Sequence, residues 1–504
     1  MTRLRSVVPV RLALALCAAL AVAGCDSILD TEPLNVQTFD NQLASPEGAV
    51  GFVNSLYGAL PGLYNGAIPN LVESGTDDGW PFAQSFQGLK TREIDATQGQ
   101  LGNVWTPSLT EIASANYYLN REPSIDFGDD DDLKDQLRGE ALFLRAFYYF
   151  NLVRLFGEVP IYDESVAIDQ ISEAQRPRDS VADVYAFIKR DLGQAIELLP
   201  ASYTDSGLAQ ERGRATSGAA RTLLAKVHLT LEEWSDVLAV TDGITGYSLR
   251  PSYIDNFYGL LRDASGENRV ESIFEVQYSQ EGDGPKSFIR VAFTPRGIRD
   301  GQNQILPTDD AYPDFEVGAG GPNAIIQAYG EGDARFDVVF DKFGASRGAV
   351  TESYGSREWF VQKWYSDIGN NATSFNIVVF RYAEVLLMRA EALAELGRPA
   401  EAIPLVNQIR ARAGVDALGD DVDDQGEVRQ AVRLERRLEL AFEFKRLFDL
   451  NRWGILTDVL APQGITINPA KVTAHPITGK PEVLYPIPLG ELQRNPNATQ
   501  NAGY

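Results

Sequence analysis

The sequence predicts a mainly α-helical fold, made of tetratricopeptide-like helix pairs, with an irregular loop-rich region carrying small strands. Three observations predict it. Apolar residues recur at helical spacing along two long stretches before residue 200. Two further stretches, 219–244 and 382–413, read as helix–turn–helix pairs. Between them, from about residue 247 to about 375, glycine, proline and polar residues are dense and the helical period is lost.

In chain order, the first segment lies outside the fold. Arg3, Arg5 and Arg11 give it a positive start, and an apolar run from Leu12 to Ala23 comes next. That run falls short of the roughly 20 apolar residues that span a bilayer, and has the length of a signal-peptide core. It ends in Val22-Ala23-Gly24-Cys25, the bacterial lipobox, in which small residues admit the signal peptidase and the cysteine thiol takes the lipid. Residues 1–24 are therefore expected to be a lipoprotein signal peptide, Cys25 the lipidated residue, and 25–40 a polar tether. One acyl chain anchors only marginally, at about 0.8 kcal/mol per buried CH₂, so stable anchoring calls for the several chains that bacterial lipoproteins carry. Cys17 lies in the leader, which leaves one lipidated cysteine and no internal disulfide.

The body, 41–504, divides into a helical part to about 246, the loop-rich middle at about 247–375, and a helical part at about 376–504. Leu137, Ala141, Leu144, Tyr148 and Leu152 mark one face of a helix from Leu133 to Phe156, stopped by Gly157 and Pro160. Val181, Val184, Ile188, Leu192, Ala195 and Leu199 mark a second, with Asp179 or Ser180 as N-cap and Pro200 as its stop. In the pair at 382–413, Ala390 and Leu393 precede Gly397 at the turn, and Ala402, Val406 and Ile409 come after it. The pair at 219–244 matches less well, because Glu232 stands where the turn glycine belongs. In the middle, Ile273 to Tyr278 alternates like a short strand.

The net charge is −25, and −28 once the three arginines of the leader are removed. That excludes a nucleic-acid binder and docking onto anionic lipid through a basic patch. It fits a soluble surface and a neutral or cationic ligand.

Several motifs, in order, give the chain a resemblance to the RagB/SusD family of outer-membrane nutrient-binding lipoproteins. They are the start from Cys25 through Asp30-Thr31-Glu32-Pro33; Arg138-Gly139-Glu140-Ala141 through Phe150, closed by Leu155-Phe156-Gly157-Glu158-Val159-Pro160; Arg381-Tyr382-Ala383-Glu384; Glu435-Arg436-Arg437-Leu438-Glu439 leading to Phe448-Asp449-Leu450-Asn451-Arg452-Trp453-Gly454; and Leu484-Tyr485-Pro486-Ile487-Pro488 near the end. The resemblance implies helix pairs arranged in an α-α superhelix and a SusC-like TonB-dependent transporter as partner. It implies an oligosaccharide or peptide ligand, delivered to that transporter, and a lipid-anchored place on the outer membrane, facing outward. It implies that these blocks are mostly scaffold. Arg436, Arg437, Glu439 and Glu443 read as ion pairs along one helix.

No enzymatic constellation stands out. Gly344-Ala345-Ser346-Arg347-Gly348 fits a nucleophile elbow, but Ala349 to Gly355 after it do not read as a helix start, and His475 is the sole downstream base. His228 reads as a packed core histidine, and no Cys/His cluster exists for zinc, so neither metal nor cofactor is expected. Asp129 to Asp132 read as a helix start with an acidic first turn rather than a calcium loop.

Aromatic residues on loops are better candidates, because sugar rings stack their C–H faces on flat side chains. Trp80 and Phe82 come after the loop-like Gly75–Gly79; Tyr312, Phe315, Trp359, Trp364 and Tyr365 lie in the irregular middle. The ligand site is expected at Trp80, Phe82, Tyr312, Trp359 and Trp364, since the resemblance implies that an early loop and the middle region line it. Trp105, Trp234 and Trp453 sit in helical context. A surface glycoside hydrolase would instead need two carboxylates facing across a cleft, and a protein-binding helical scaffold would show a groove without exposed aromatics.

Overall fold

The computed structural model describes residues 42–81, 84–166, 175–203, 213–257, 270–279, 284–293, 296–297, 299–300, 305–307, 324–342, 359–364, 375–419 and 421–504. Cys25, Phe82, Tyr312, Phe315, Ser346 and Tyr365 lie outside the described residues.

The mainly helical architecture expected from the sequence is present. The helices that build it are α1 (Pro46–Ser55), α2 (Ile68–Glu73), α3 (Gly99–Arg121), α4 (Asp131–Phe156), α5 (Val181–Leu198), α6 (Ser217–Thr230), α7 (Trp234–Thr241), α8 (Tyr382–Glu395), α9 (Pro399–Ala413), α10 (Gln425–Glu439) and α11 (Arg446–Trp453). From α3 to α9 each helix packs on the next, and α10 packs on α8, so the pairs stack into one array. The helix starts obey capping chemistry. The Asp130 carboxylate accepts from Leu133 N–H at 3.0 Å, which is the role read for the aspartate run. Ser180 caps α5 by accepting from Asp183 N–H at 3.2 Å. From Gln136 to Phe156 almost all of α4 is buried, so it forms the axis of the core.

The two turns expected to be equivalent are so in backbone terms. Gly397 closes α8 at φ +71°, and Glu232, in the glycine's place between α6 and α7, adopts φ +61°. A left-handed conformation at a residue with Cβ is costly. Here the Glu232 carboxylate receives Lys480 from the far end of the chain.

The middle is an excursion closed at its base. Strand β2 (Ser272–Val276) pairs antiparallel with β6 (Ile377–Arg381), which runs directly into α8. This ladder returns the chain beside α7, so α7 and α8 pack together although residues 242–381 separate them. Other small strands are β1 (Gly79–Pro81), β3 (Ile305–Pro307), β4 (Phe340–Lys342), β5 (Trp359–Val361), β7 (Val472–Ala474) and β8 (Pro481–Val483). The tail is stitched to the core: Tyr485 N–H donates to Leu155 at 2.8 Å, and the Asn501 amide donates to the Phe156 carbonyl at 2.9 Å. Among the described residues no helix is long and apolar enough to cross a membrane.

A buried ionic network binds the excursion to the helices. Arg381 reaches Glu271, Glu439 and Glu443; Arg335 reaches Asp333, Glu435 and Glu439; Lys363 reaches Glu443 at 2.6 Å. Burial alone would raise the Glu439 carboxyl, but Arg412, Arg381 and Arg335 hold it well below the usual carboxylate range. This corrects the reading of Arg436, Arg437, Glu439 and Glu443 as pairs along one helix. Arg436 pairs with Asp449, Arg437 with Asp77 and Asp78, Glu439 with Arg335, Arg381 and Arg412, and Glu443 with Lys363 and Arg381. Helical spacing placed them on one element; burial sends them to partners on others.

Candidate functional site

The early segment and the middle meet in two small ladders. Trp80 on β1 stands opposite Leu306 of β3, with Gly79 opposite Pro307 and Pro81 opposite Ile305. Trp359 on β5 stands opposite Lys342 of β4. Strand β3 packs against β5, so Trp80 and Trp359 belong to neighbouring ladders.

The Trp80 platform is held from below. Gly75–Gly79 is a loop, but not a surface loop: each residue in it is buried. Asp77 takes Arg446 at two points, 2.9 and 2.7 Å, and Asp78 accepts from Arg437 Nε at 2.7 Å. Burial would raise the Asp77 carboxyl; Arg446 and Arg437 outweigh it and hold the group below its ordinary range. Gly79 is required, because a Cβ there would come 2.3 Å from the Glu73 carbonyl oxygen. Lys90 Nζ lies 5.6 Å from the centre of the Trp80 ring and donates to the Gly79 carbonyl at 2.9 Å. Trp80 itself is 7% exposed.

Trp359 is half-buried, with Phe336 edge-on at 4.9 Å. Trp364 is 9% exposed; its indole N–H donates to the Phe442 carbonyl at 2.9 Å and its ring stacks on Phe444 at 5.7 Å. Lys363 beside it donates to Tyr253, the Ala441 carbonyl and Glu443; burial pushes this lysine down to about 8, against the pull of Glu443. The structure therefore brings Trp80 and Trp359 to adjoining ladders and sets Trp364 into packing against the link between α10 and α11. Phe82 and Tyr312 lie outside the described residues.

His228 departs from the core reading. Its ring faces Glu233 at the turn between α6 and α7, and Glu233 also accepts from Lys189 at 2.8 Å. Ligand-type atoms of His228, Glu233 and Asp236 lie within 4.8 Å of one another, but Lys189 already supplies the positive charge there. Close carboxylates of the kind a hydrolase needs occur at Glu73, Asp77 and Asp78. Burial pushes Glu73 up to about 8, and the Asp78 charge adds to this. All three are enclosed: Arg437 and Arg446 cover the aspartates, and Glu73 accepts from Phe444 N–H at 2.7 Å.

Comparison with known proteins agrees with this architecture. A family model described as "SusD family" matches residues 345–504, and one described as "Starch-binding associating with outer membrane" matches 68–229. The chain is 29% identical over 448 residues to SusD-like protein P2 of Formosa agariphila, covering 81% of each protein. It is 23% identical over 454 residues to starch-binding protein SusD of Bacteroides thetaiotaomicron, covering 78% of this chain and 77% of that one. A solved structure described as a laminarin binding SusD-like protein superposes with a TM-score of 0.72 at 25% identity, over 91% of this chain and 99% of that one. Both ends of the body match the family's models, and the stacked helix pairs with their looped excursion match its structures: the chain belongs to the SusD/RagB family.

Proposed function

We propose that this protein captures oligosaccharides at the bacterial outer surface and delivers them, uncleaved, to a SusC-like TonB-dependent transporter. The observation that carries the reading is the placement of Trp80 and Trp359 on adjoining ladders braced by buried ion pairs. Rigid, partly apolar platforms suit sugar rings, which stack at little entropic cost. Relatives described as starch-binding and laminarin-binding support a glycan as the ligand class. In this reading Cys25 carries the lipid, the tether to about residue 40 sets the body away from the membrane, Phe82 and Tyr312 complete the aromatic set with Trp80 and Trp359, and Trp364 supports that set from within the packing. The buried, arginine-covered state of Asp77 and Asp78 supports binding rather than hydrolysis.

The test is an array of glycans, including starch and laminarin oligosaccharides, and peptides, probed with the soluble chain from Asp26. Saturable glycan binding without release of new reducing ends is expected. Peptide binding alone would replace the ligand class, and product release would replace the binding reading with an enzymatic one. Co-purification of a transporter barrel with the lipidated protein tests the partner.

A further inference from the structure

A crevice lies away from the aromatic ladders, where the hairpin β7–β8 covers the ends of α4, α5 and α11. Its lining includes Arg154, Tyr185, Phe448, His475, Thr478 and Glu482. It is open to solvent on one side, and its empty space, counted out to the mouth, is about 460 Å³. That suits a short molecule rather than a polymer.

Two opposite charges face this space without meeting. The Arg154 guanidinium is clamped between the rings of Phe150 and Phe448, 3.8 and 3.7 Å from their centres. It donates to the Phe150 carbonyl at 3.0 Å and to the Asn151 amide oxygen at 2.7 Å, and has no ion pair among the described residues. Arg145, Arg335 and Arg381, by contrast, are each paired with carboxylates. Glu482, on β8, is 9% exposed, and its carboxyl has neither hydrogen bond nor ion pair among the described residues. Burial lowers Arg154 to about 10 and raises Glu482 to about 7. Tyr185 is buried between them: burial raises its phenol most, Arg154 pulls it down and Glu482 pushes it up. The hairpin's position is fixed by the Lys480–Glu232 pair, and His475 Nδ1 is occupied by the backbone N–H groups of Ile477 and Thr478, at 3.3 and 3.2 Å. Its Nε2 is thereby left as the donor.

We propose that this crevice binds a small zwitterion of the amino-acid class, its carboxylate at Arg154 and its ammonium at Glu482. The aromatic clamp pre-orients the planar guanidinium fork, which suits a carboxylate. The ammonium end meets the Glu482 carboxylate beside the Tyr185 ring, a site that favours cations on both counts. A simple anion or cation satisfies one buried charge and leaves the other unpaired, so a ligand carrying both is selected. This site is built from elements other than those of the glycan platform and stands independently of it.

The test is calorimetric titration of the soluble mature chain with glycine, β-alanine, γ-aminobutyrate and 5-aminovalerate, with acetate and methylammonium as half-ligands at equal ionic strength. The series varies the distance between the two charges. At least one member is expected to bind saturably, and tenfold or more tightly than either half-ligand. Glu482→Gln and Arg154→Met are each expected to weaken it at least tenfold. Tyr185→Leu removes the ring that flanks the ammonium, so it reports on the site if the arginine variant unfolds; a loss of threefold or more is expected. Failure of the whole series to bind, binding no tighter than that of a half-ligand, or unchanged binding in Glu482→Gln would each overturn the proposal.

Discussion

Arg381 and Glu443 meet in a parallel two-point pair, Nε donating to Oε2 and Nη2 to Oε1, both at 2.8 Å. The pair ties the last residue of β6 to the link between α10 and α11. The same guanidinium also reaches Glu271 at 2.9 Å, where the excursion begins its first strand. Substituting Arg381→Met leaves Glu271, Glu439 and Glu443 buried with too few cations. A loss of about 3–5 kcal/mol is expected by urea unfolding, because removing one partner strands the others. A loss under about 1 kcal/mol would show that the network does not hold the neck of the excursion.

Gly397→Ala isolates backbone strain. The position has φ +71°, and an added Cβ meets nothing within 4 Å. A cost of about 1–2 kcal/mol is expected from the conformation alone. An unchanged thermal midpoint would mean that the turn relaxes.

Glu73 gives the fold a pH dependence of known sign. Its carboxyl is pushed from 4.5 up to about 8, mainly by burial. The folded state therefore keeps a proton that the unfolded state has released. The stability this contributes is complete below about pH 4.5 and is lost as pH rises to about 8, at no more than about 1.4 kcal/mol per pH unit. Glu73→Gln removes the titration. Its stability relative to the wild type is expected to improve steadily between pH 5 and pH 8; parallel profiles would contradict the assignment.

Trp364 and Trp359 should separate stability from binding. Trp364→Ala removes a stacked, hydrogen-bonded indole and is expected to cost about 3–5 kcal/mol. Trp359 is half-buried, and its alanine variant should lower the thermal midpoint less while weakening glycan binding more. The reverse order would exchange their roles.

The helix pairs were legible because each carries its own period, stop and cap. Gly397 and Ser180 act where their residue types place them. The joints between the pairs were not legible: β2 and β6 are about a hundred residues apart, and no local pattern announces their ladder. Asp77 and Asp78 lie in a stretch that reads as a loop, yet Arg446 and Arg437, far along the chain, take them into the core. Aromatic residues in irregular sequence carry no mark of exposure, which is why Trp364 and Trp359 looked alike. Phe150 and Arg154, four residues apart on α4, were the one local sign of the crevice, since that spacing stacks a guanidinium on a ring.

The most direct test of glycan capture is calorimetric titration of the soluble chain with starch and laminarin oligosaccharides, repeated on Trp80→Ala and Trp359→Ala. Saturable binding of at least one glycan is expected, weakened tenfold or more in one or both variants, with the ligand recovered intact. Absence of binding to every glycan, or equal binding by the wild type and both variants, would contradict it.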